Sequence, residues 1–294
     1  MTTTSFRKHK DKASMAADSR VTFEHGDGTR TCRDYDNYLK VIKYNDVLYG
    51  FAGTNNYFQK FLELLLTSSL SDMQILDALT SAANRNKHDF LVLRYEDELR
   101  CFGYIVKENS LYDSSVEPLN VESYGIGSGA TTTIYKKHSE HRLPSFPIRK
   151  IIDKNSAAIA KAKKKESQKV AKMKKQGLRN VNPQAIDCAY VCAKAGGDYG
   201  TGGVIKMTDM QLERDVVQAQ IGVLAGISQD AKSSNAVAVC SFDAKTEKEK
   251  LDSLGVHARE TDVTFTEEEE LLVQELTQSL SASDKEESED AKSS

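Results

Sequence analysis

The chain has 294 residues, enough for one large domain with insertions, and a 39% hydrophobic fraction with 12 Tyr and 10 Phe can build a core without Trp. Its formal net charge of −3 gives no overall pull towards nucleic acid or an acidic membrane surface. No apolar run reaches the ~20 residues that span a bilayer, and polar Thr and Lys stand where a signal segment would be apolar, so the expected location is cytoplasmic.

In chain order, Thr3 to Arg7 is β-prone and Ser14 to Thr22 reads as a second short strand. A polar stretch with a turn at Gly26-Asp27-Gly28 follows, then two strand-like halves of Tyr38 to Phe51 around Asn45-Asp46. Ala52-Gly53-Thr54 introduces a helix to about Leu70, with Phe58, Phe61, Leu62, Leu65 and Leu66 on a helical period. Ser71 is a suitable N-cap for a second helix that buries Met73, Ile75, Leu76 and Leu79. Asp89 to Leu111 reads strand-turn-strand, with the turn at Glu96-Asp97. Tyr124 to Ala130 is glycine-rich and leads to a helix starting near Thr131. A further helix covers Pro183 to about Gly196, and Asp198 to Gly203 leads into a short strand, Val204 to Met207. Strand runs alternating with helix pairs predict an α+β fold of two stacked antiparallel sheets with helices outside.

Two segments depart from the average composition. Between Arg149 and Arg179 twelve Lys/Arg stand against two acids, a solvated or partner-facing helical arm without the aromatic platforms that favour nucleic acid. Glu267 to Glu270 opens an acidic helix through Leu276, and beyond Ser279 the composition predicts disorder. The acidic end is a candidate counter-charge for the basic arm. Cys32, Cys101, Cys188, Cys192 and Cys240 are odd in number and widely spaced, with no His or Cys pair to complete a zinc-like set. They read as reduced thiols, and neither metal nor cofactor is expected.

Chemistry concentrates at the start of the chain. Thr2 is small enough for Met1 to be removed. A leading threonine combines a nucleophile, Oγ, with a base, its α-amino group, whose ordinary pKa is ~7.7–8.0.

Six motifs, in order, resemble the threonine-type N-terminal-nucleophile (Ntn) hydrolases of the proteasome β-subunit and HslV peptidase family. They are Thr2 itself, Ala16-Ala17-Asp18-Ser19-Arg20, Leu39-Lys40-Val41-Ile42, Phe51-Ala52-Gly53, Gly127-Ser128-Gly129 and Asp198-x-x-Thr201-Gly202-Gly203. The resemblance runs from Thr2 to Met207 without the basic segment. It implies a four-layer αββα sandwich with residues 1–228 as the hydrolase domain, interrupted by a basic helical insertion at about 138–182. Residues 229–278 are then a C-terminal extension and 279–294 a disordered acidic tail.

The implied activity is a threonine peptidase working through an acyl-enzyme on Thr2. Lys40 would keep the amine neutral and favour the alkoxide, Asp18 would hold Lys40 charged, and Gly53 would give a backbone N–H to the oxyanion. Ser128, Asp198 and Thr201 would form the polar shell around the new N-terminus. The implied partners are polypeptide substrates and further copies in a homo-oligomeric ring. With no G-x-x-x-x-G-K-[ST] loop, ATP-driven unfolding would fall to a separate ATPase.

The stretch from Asp18 to Lys40 is several residues longer than the family's, and Thr201 replaces a serine. Alternation puts Lys40 with Ile42 on one face and Val41 with Lys43 on the other, so only one lysine points inward. Two alternatives stand beside the peptidase: an amidase for a small molecule, and an inactive structural or assembly protein on the same fold. In the inactive case Asp18 would pair with Arg20 at a sheet edge and Lys40 would lie on the surface.

Overall fold

The computed structural model describes residues 2–9, 12–131, 206–207, 211–259 and 264–290. Twelve described strands form two antiparallel sheets. The smaller has the order β10-β1-β2-β11, made of β1 (Thr4–His9), β2 (Lys12–Ala17), β10 (Ser123–Ile126) and β11 (Lys206–Met207). The larger runs β4-β3-β12-β6-β7-β8-β9. Its members are β3 (Arg20–His25), β4 (Arg30–Asp34), β6 (Val47–Thr54), β7 (Phe90–Tyr95), β8 (Leu99–Ile105), β9 (Ser110–Tyr112) and β12 (Ala236–Cys240). β5 (Val41–Tyr44) pairs with the first half of β6, while β12 pairs with Gly53 and Thr54 at its other end.

Strand alternation divides the interior into two cores. Leu48 and Ala52 of β6 and Leu91 and Leu93 of β7 face Phe6, Met15, Ala17 and Ile126 of the smaller sheet. Tyr49, Phe51, Phe90 and Val92 point the other way, into a core shared with helices α1 (Asn55–Thr67) and α2 (Asp72–Asn86). Helix α3 (Arg214–Ser233) lies beside α1, and α5 (Glu267–Asp290) beside α2, on this same outer face. The described layers are therefore small sheet, large sheet and helices. The expected helices after Thr131 and over 183–196, the basic arm, Cys188 and Cys192 lie outside the described residues.

Local chemistry accounts for the elements. Asn45 and Asp46 both take positive φ (49° and 64°), the pairing a two-residue hairpin needs between β5 and β6. Ser71 caps α2 in a capping box with Gln74.

The segment expected as one strand, Ser14 to Thr22, is two. At Asp18-Ser19 the chain leaves the small sheet and enters the large one, because the Asp18 carboxylate takes the Arg20 N–H at 3.1 Å and ends the β2 ladder.

The sequence reading has no strand for β4, β9 or β10, and nothing at all for α3, β12 and α4 (Ala244–Ser253). The boundary expected at residue 228 falls inside α3, and β12 fills the gap between β3 and β6, so the chain after 228 completes the large sheet. Likewise, α5 continues as helix to Asp290, past Ser279, where composition predicted disorder. Its acidic first turn docks on α2, with Glu270 on Arg85 and Glu269 on Gln74. Among the described residues no helix is long and apolar enough to cross a membrane.

One buried carboxyl fastens α2 to the loop after β9. Asp77 accepts the Ser114 N–H at 2.9 Å and the Ser114 hydroxyl at 2.5 Å. Burial nevertheless pushes its carboxyl up to about 6. The folded state thus holds this proton more tightly than the unfolded chain, near ~3.9. Stability from this group is full below about pH 4 and is lost as pH rises through about 6. Asp77→Asn, whose Oδ1 still accepts the Ser114 N–H while its amide N–H donates to the Ser114 hydroxyl, should remove that slope. In chemical denaturation at pH 4 and 7, the variant should gain on the parent by at most about 3 kcal/mol between the two. Parallel pH profiles would contradict this.

Candidate active site

Among the described residues, four of the six motifs, those of Thr2, Asp18, Lys40 and Gly127–Gly129, come together. Thr2 lies just before β1, Asp18 just after β2 and Lys40 just before β5, and all three side chains are at most 2% exposed. Lys40 Nζ donates to Thr2 Oγ at 2.5 Å, to Asp18 Oδ1 at 3.0 Å and to the Arg20 carbonyl at 2.5 Å. An ammonium has three protons, and here each has an acceptor.

Asp18 is equally committed. Its Oδ1 also accepts the Thr2 hydroxyl at 2.8 Å and the Thr3 N–H at 3.0 Å, while Oδ2 takes the Arg20 N–H. Thr2 Oγ therefore sits between a cation and an anion, accepting from one and donating to the other. Arg20 pairs with Asp34 at 2.6 Å. Lys43 pairs with Asp46 on the surface.

A polar floor underlies the lysine. Tyr38 Oη donates to Asn55 Oδ1 at 3.2 Å, and the Cys240 thiol donates to the same oxygen at 3.3 Å. Lys40 Nζ lies 6.0 Å from the Tyr38 ring centre, near the limit of a cation–π contact. Burial pushes the Cys240 thiol up, in keeping with its donation to Asn55. The loop leading to Lys40 is braced by Gln220 of α3. Its Oε1 accepts the Leu39 N–H at 2.9 Å and its Nε2 donates to the Asn37 carbonyl at 3.0 Å.

The glycine-rich loop after β10 seats the backbone of Thr2. Gly129 N–H donates to the Thr2 carbonyl at 3.0 Å. Gly127 has φ +95°, and a Cβ there would lie 2.3 Å from the Thr2 carbonyl oxygen and 2.6 Å from its Cγ2. Only glycine fits. Ser128 is half-buried at the start of a short 3₁₀ turn, Ser128–Thr131, its N–H on the Ser241 carbonyl at 3.3 Å.

Gly53 is not in a turn but in β6, immediately before α1. Its φ is +118°, and a Cβ would meet the Asp89 carbonyl oxygen at 2.4 Å, so the close approach of β7 already demands glycine. Asp198 and Thr201 lie outside the described residues. Tyr38, Asn55, Gln220 and Cys240 were not picked out as site residues from the sequence. Gln220 and Cys240 lie on α3 and β12, which no turn or cap signal announced. Among the described residues no group of three or more His, Cys, Asp or Glu is placed to hold a metal ion, and Cys32, Cys101 and Cys240 are free.

No family model and no curated protein matches the sequence. Among solved structures the chain is similar to eukaryotic HslV from Trypanosoma brucei, with 11% sequence identity and a TM-score of 0.42 over 71% of this chain and 99% of that one.

The ion pair makes a stability prediction. Lys40→Met leaves the Asp18 carboxylate buried without its counter-charge, a loss of about 3–5 kcal/mol, whereas Lys43→Met should stay within about 0.5 kcal/mol. Urea denaturation of both variants checks this, and equal midpoints would refute the pairing.

Proposed function

We propose that this chain is an Ntn hydrolase that cleaves peptide bonds through an acyl-enzyme on Thr2. The observation that carries the reading is the contact of Thr2 Oγ with a fully buried, fully coordinated Lys40 ammonium. An ammonium on this hydroxyl would stabilise negative charge developing there. A buried Lys–Asp pair is a poor source of net stability, which points to a chemical role.

Processing that uncovers the α-amino group of Thr2 supplies the base. Thr2 is buried in the unprocessed chain, so the same event must open a path to Oγ. Oγ attacks the substrate carbonyl as its proton passes to the amine, and Lys40 stabilises the developing alkoxide. The C–N bond breaks when that proton is delivered to the leaving amine. Water then hydrolyses the Thr2 ester.

Gly53 N–H is assigned to the oxyanion, and Ser128, Asp198 and Thr201 to the shell around the free amine. The helices expected from near Thr131 and over Pro183 to about Gly196 would form the outer layer of an αββα sandwich on the small sheet. Assembly into a homo-oligomeric ring, with any unfolding ATPase as a separate chain, belongs to this same reading.

Two measurements decide it. Intact mass should show a species lacking Met1, since both enzyme readings need the free Thr2 amine and an assembly protein does not. On fluorogenic peptides Thr2→Ser should keep measurable turnover and Thr2→Ala should lose at least about 10³-fold. Equal turnover in the two variants would take Thr2 out of the mechanism.

A further inference from the structure

We propose that Glu247, on helix α4, is a positioning residue for Thr2, holding the loop on which Thr2 is seated. Its Oε1 accepts the Gly127 N–H at 2.9 Å across 120 residues of sequence. Gly127 in turn lies against the Thr2 carbonyl and Cγ2, and Gly129 donates to that carbonyl. The same helix grips the other side of the loop, where Lys250 Nζ donates to the Gly125 carbonyl at 2.5 Å. Helix α4 thus holds an acceptor before Gly127 and a donor at it, which fixes where β10 ends and the glycine loop begins.

A structural carboxylate is normally solvated, but Glu247 is 0% exposed, packed between Ala244 and Leu251 in the core that joins the two sheets. Burial raises its proton affinity; Lys250 first, then the Gly127 N–H, offset this. The carboxylate is shared: Oε2 lies 2.6 Å from Lys250 Nζ, and Oε1 takes the Gly127 N–H. A helix that served only to fill the core would place an apolar residue here. Burying a charged acceptor is costly even with Lys250 beside it, and both partners of this pair end on the glycine loop, Glu247 on the Gly127 N–H and Lys250 on the Gly125 carbonyl.

The geometry concerns the clamp alone; its catalytic consequence rests on the hydrolase reading. Two readouts therefore run in parallel on the full-length protein: amide exchange and proton shifts at Gly127 and Gly129 by NMR, and kcat and KM on a fluorogenic peptide. Glu247→Ala should speed exchange at both glycines by at least about tenfold while β7 and β8 amides stay protected. It should also lower kcat by roughly 100-fold with KM little changed, the penalty of a slightly misplaced nucleophile. Glu247→Gln keeps the carbonyl acceptor. It should restore glycine protection and bring kcat within about fivefold of the parent, and move the Gly127 amide proton upfield as the charged acceptor becomes neutral.

Unchanged protection of Gly127 and Gly129 in the alanine variant would overturn the clamp. So would a glutamine variant as impaired as alanine. The amide-shift arm needs only the near-isosteric glutamine protein, so a poorly folding alanine variant does not block the test. If the parent shows no Thr2-dependent turnover, the hydrolase reading fails and the exchange arm still decides the clamp.

Discussion

A single ammonium joins the start of β1, the end of β2 and the start of β3, and the last two flank the point at which the chain passes from the small sheet to the large one. Lys40 reaches all three through Thr2 Oγ, Asp18 and the Arg20 carbonyl. Each acceptor is already placed by its own strand, so the cation is desolvated into a site prepared for it. That arrangement sets the spacing of the sheets locally, since Thr4 also bonds from β1 to the Phe51 carbonyl of β6 at 3.0 Å. It also explains why Asp18 must break the β2 ladder. A residue continuing the strand could not turn both oxygens towards Thr2, Thr3, Lys40 and Arg20 at once.

Much of this was legible in the sequence because it is local. The hairpin at Asn45-Asp46, the Ser71 cap and the helical periods follow from residue types within a few positions of one another. The inward choice between Lys40 and Lys43 follows from alternation, although Lys40 lies just ahead of β5 and not within it. What could not be read is long-range. Gln220, Cys240 and Glu247 act on residues far away in the chain, and no periodicity records such contacts. Helix α3 carries two glycines, Gly222 and Gly226, which blur its helical signal, and β12 is a five-residue strand with no turn motif of its own.

The site is therefore shared unequally between the two halves of the chain. Among the described residues, those before 131 provide the groups that touch Thr2. Residues after 211 provide what holds those groups still: Gln220 on the approach to Lys40, Cys240 beneath it and α4 on the glycine loop. Rigidity of a reacting centre is as much a requirement as its composition, because small displacements of the attacking atom weaken catalysis steeply.

The place of β12 has a bearing on biogenesis. On a ribosome the residues of β3 and β6 emerge long before Ala236–Cys240, the strand that must slot between them. Until then a nascent chain carries two open edges facing one another and no thiol beneath its lysine. Non-local pairing of this kind closes slowly. Synthesis order thus leaves the corner around Thr2 and Lys40 unfinished until most of the polypeptide exists.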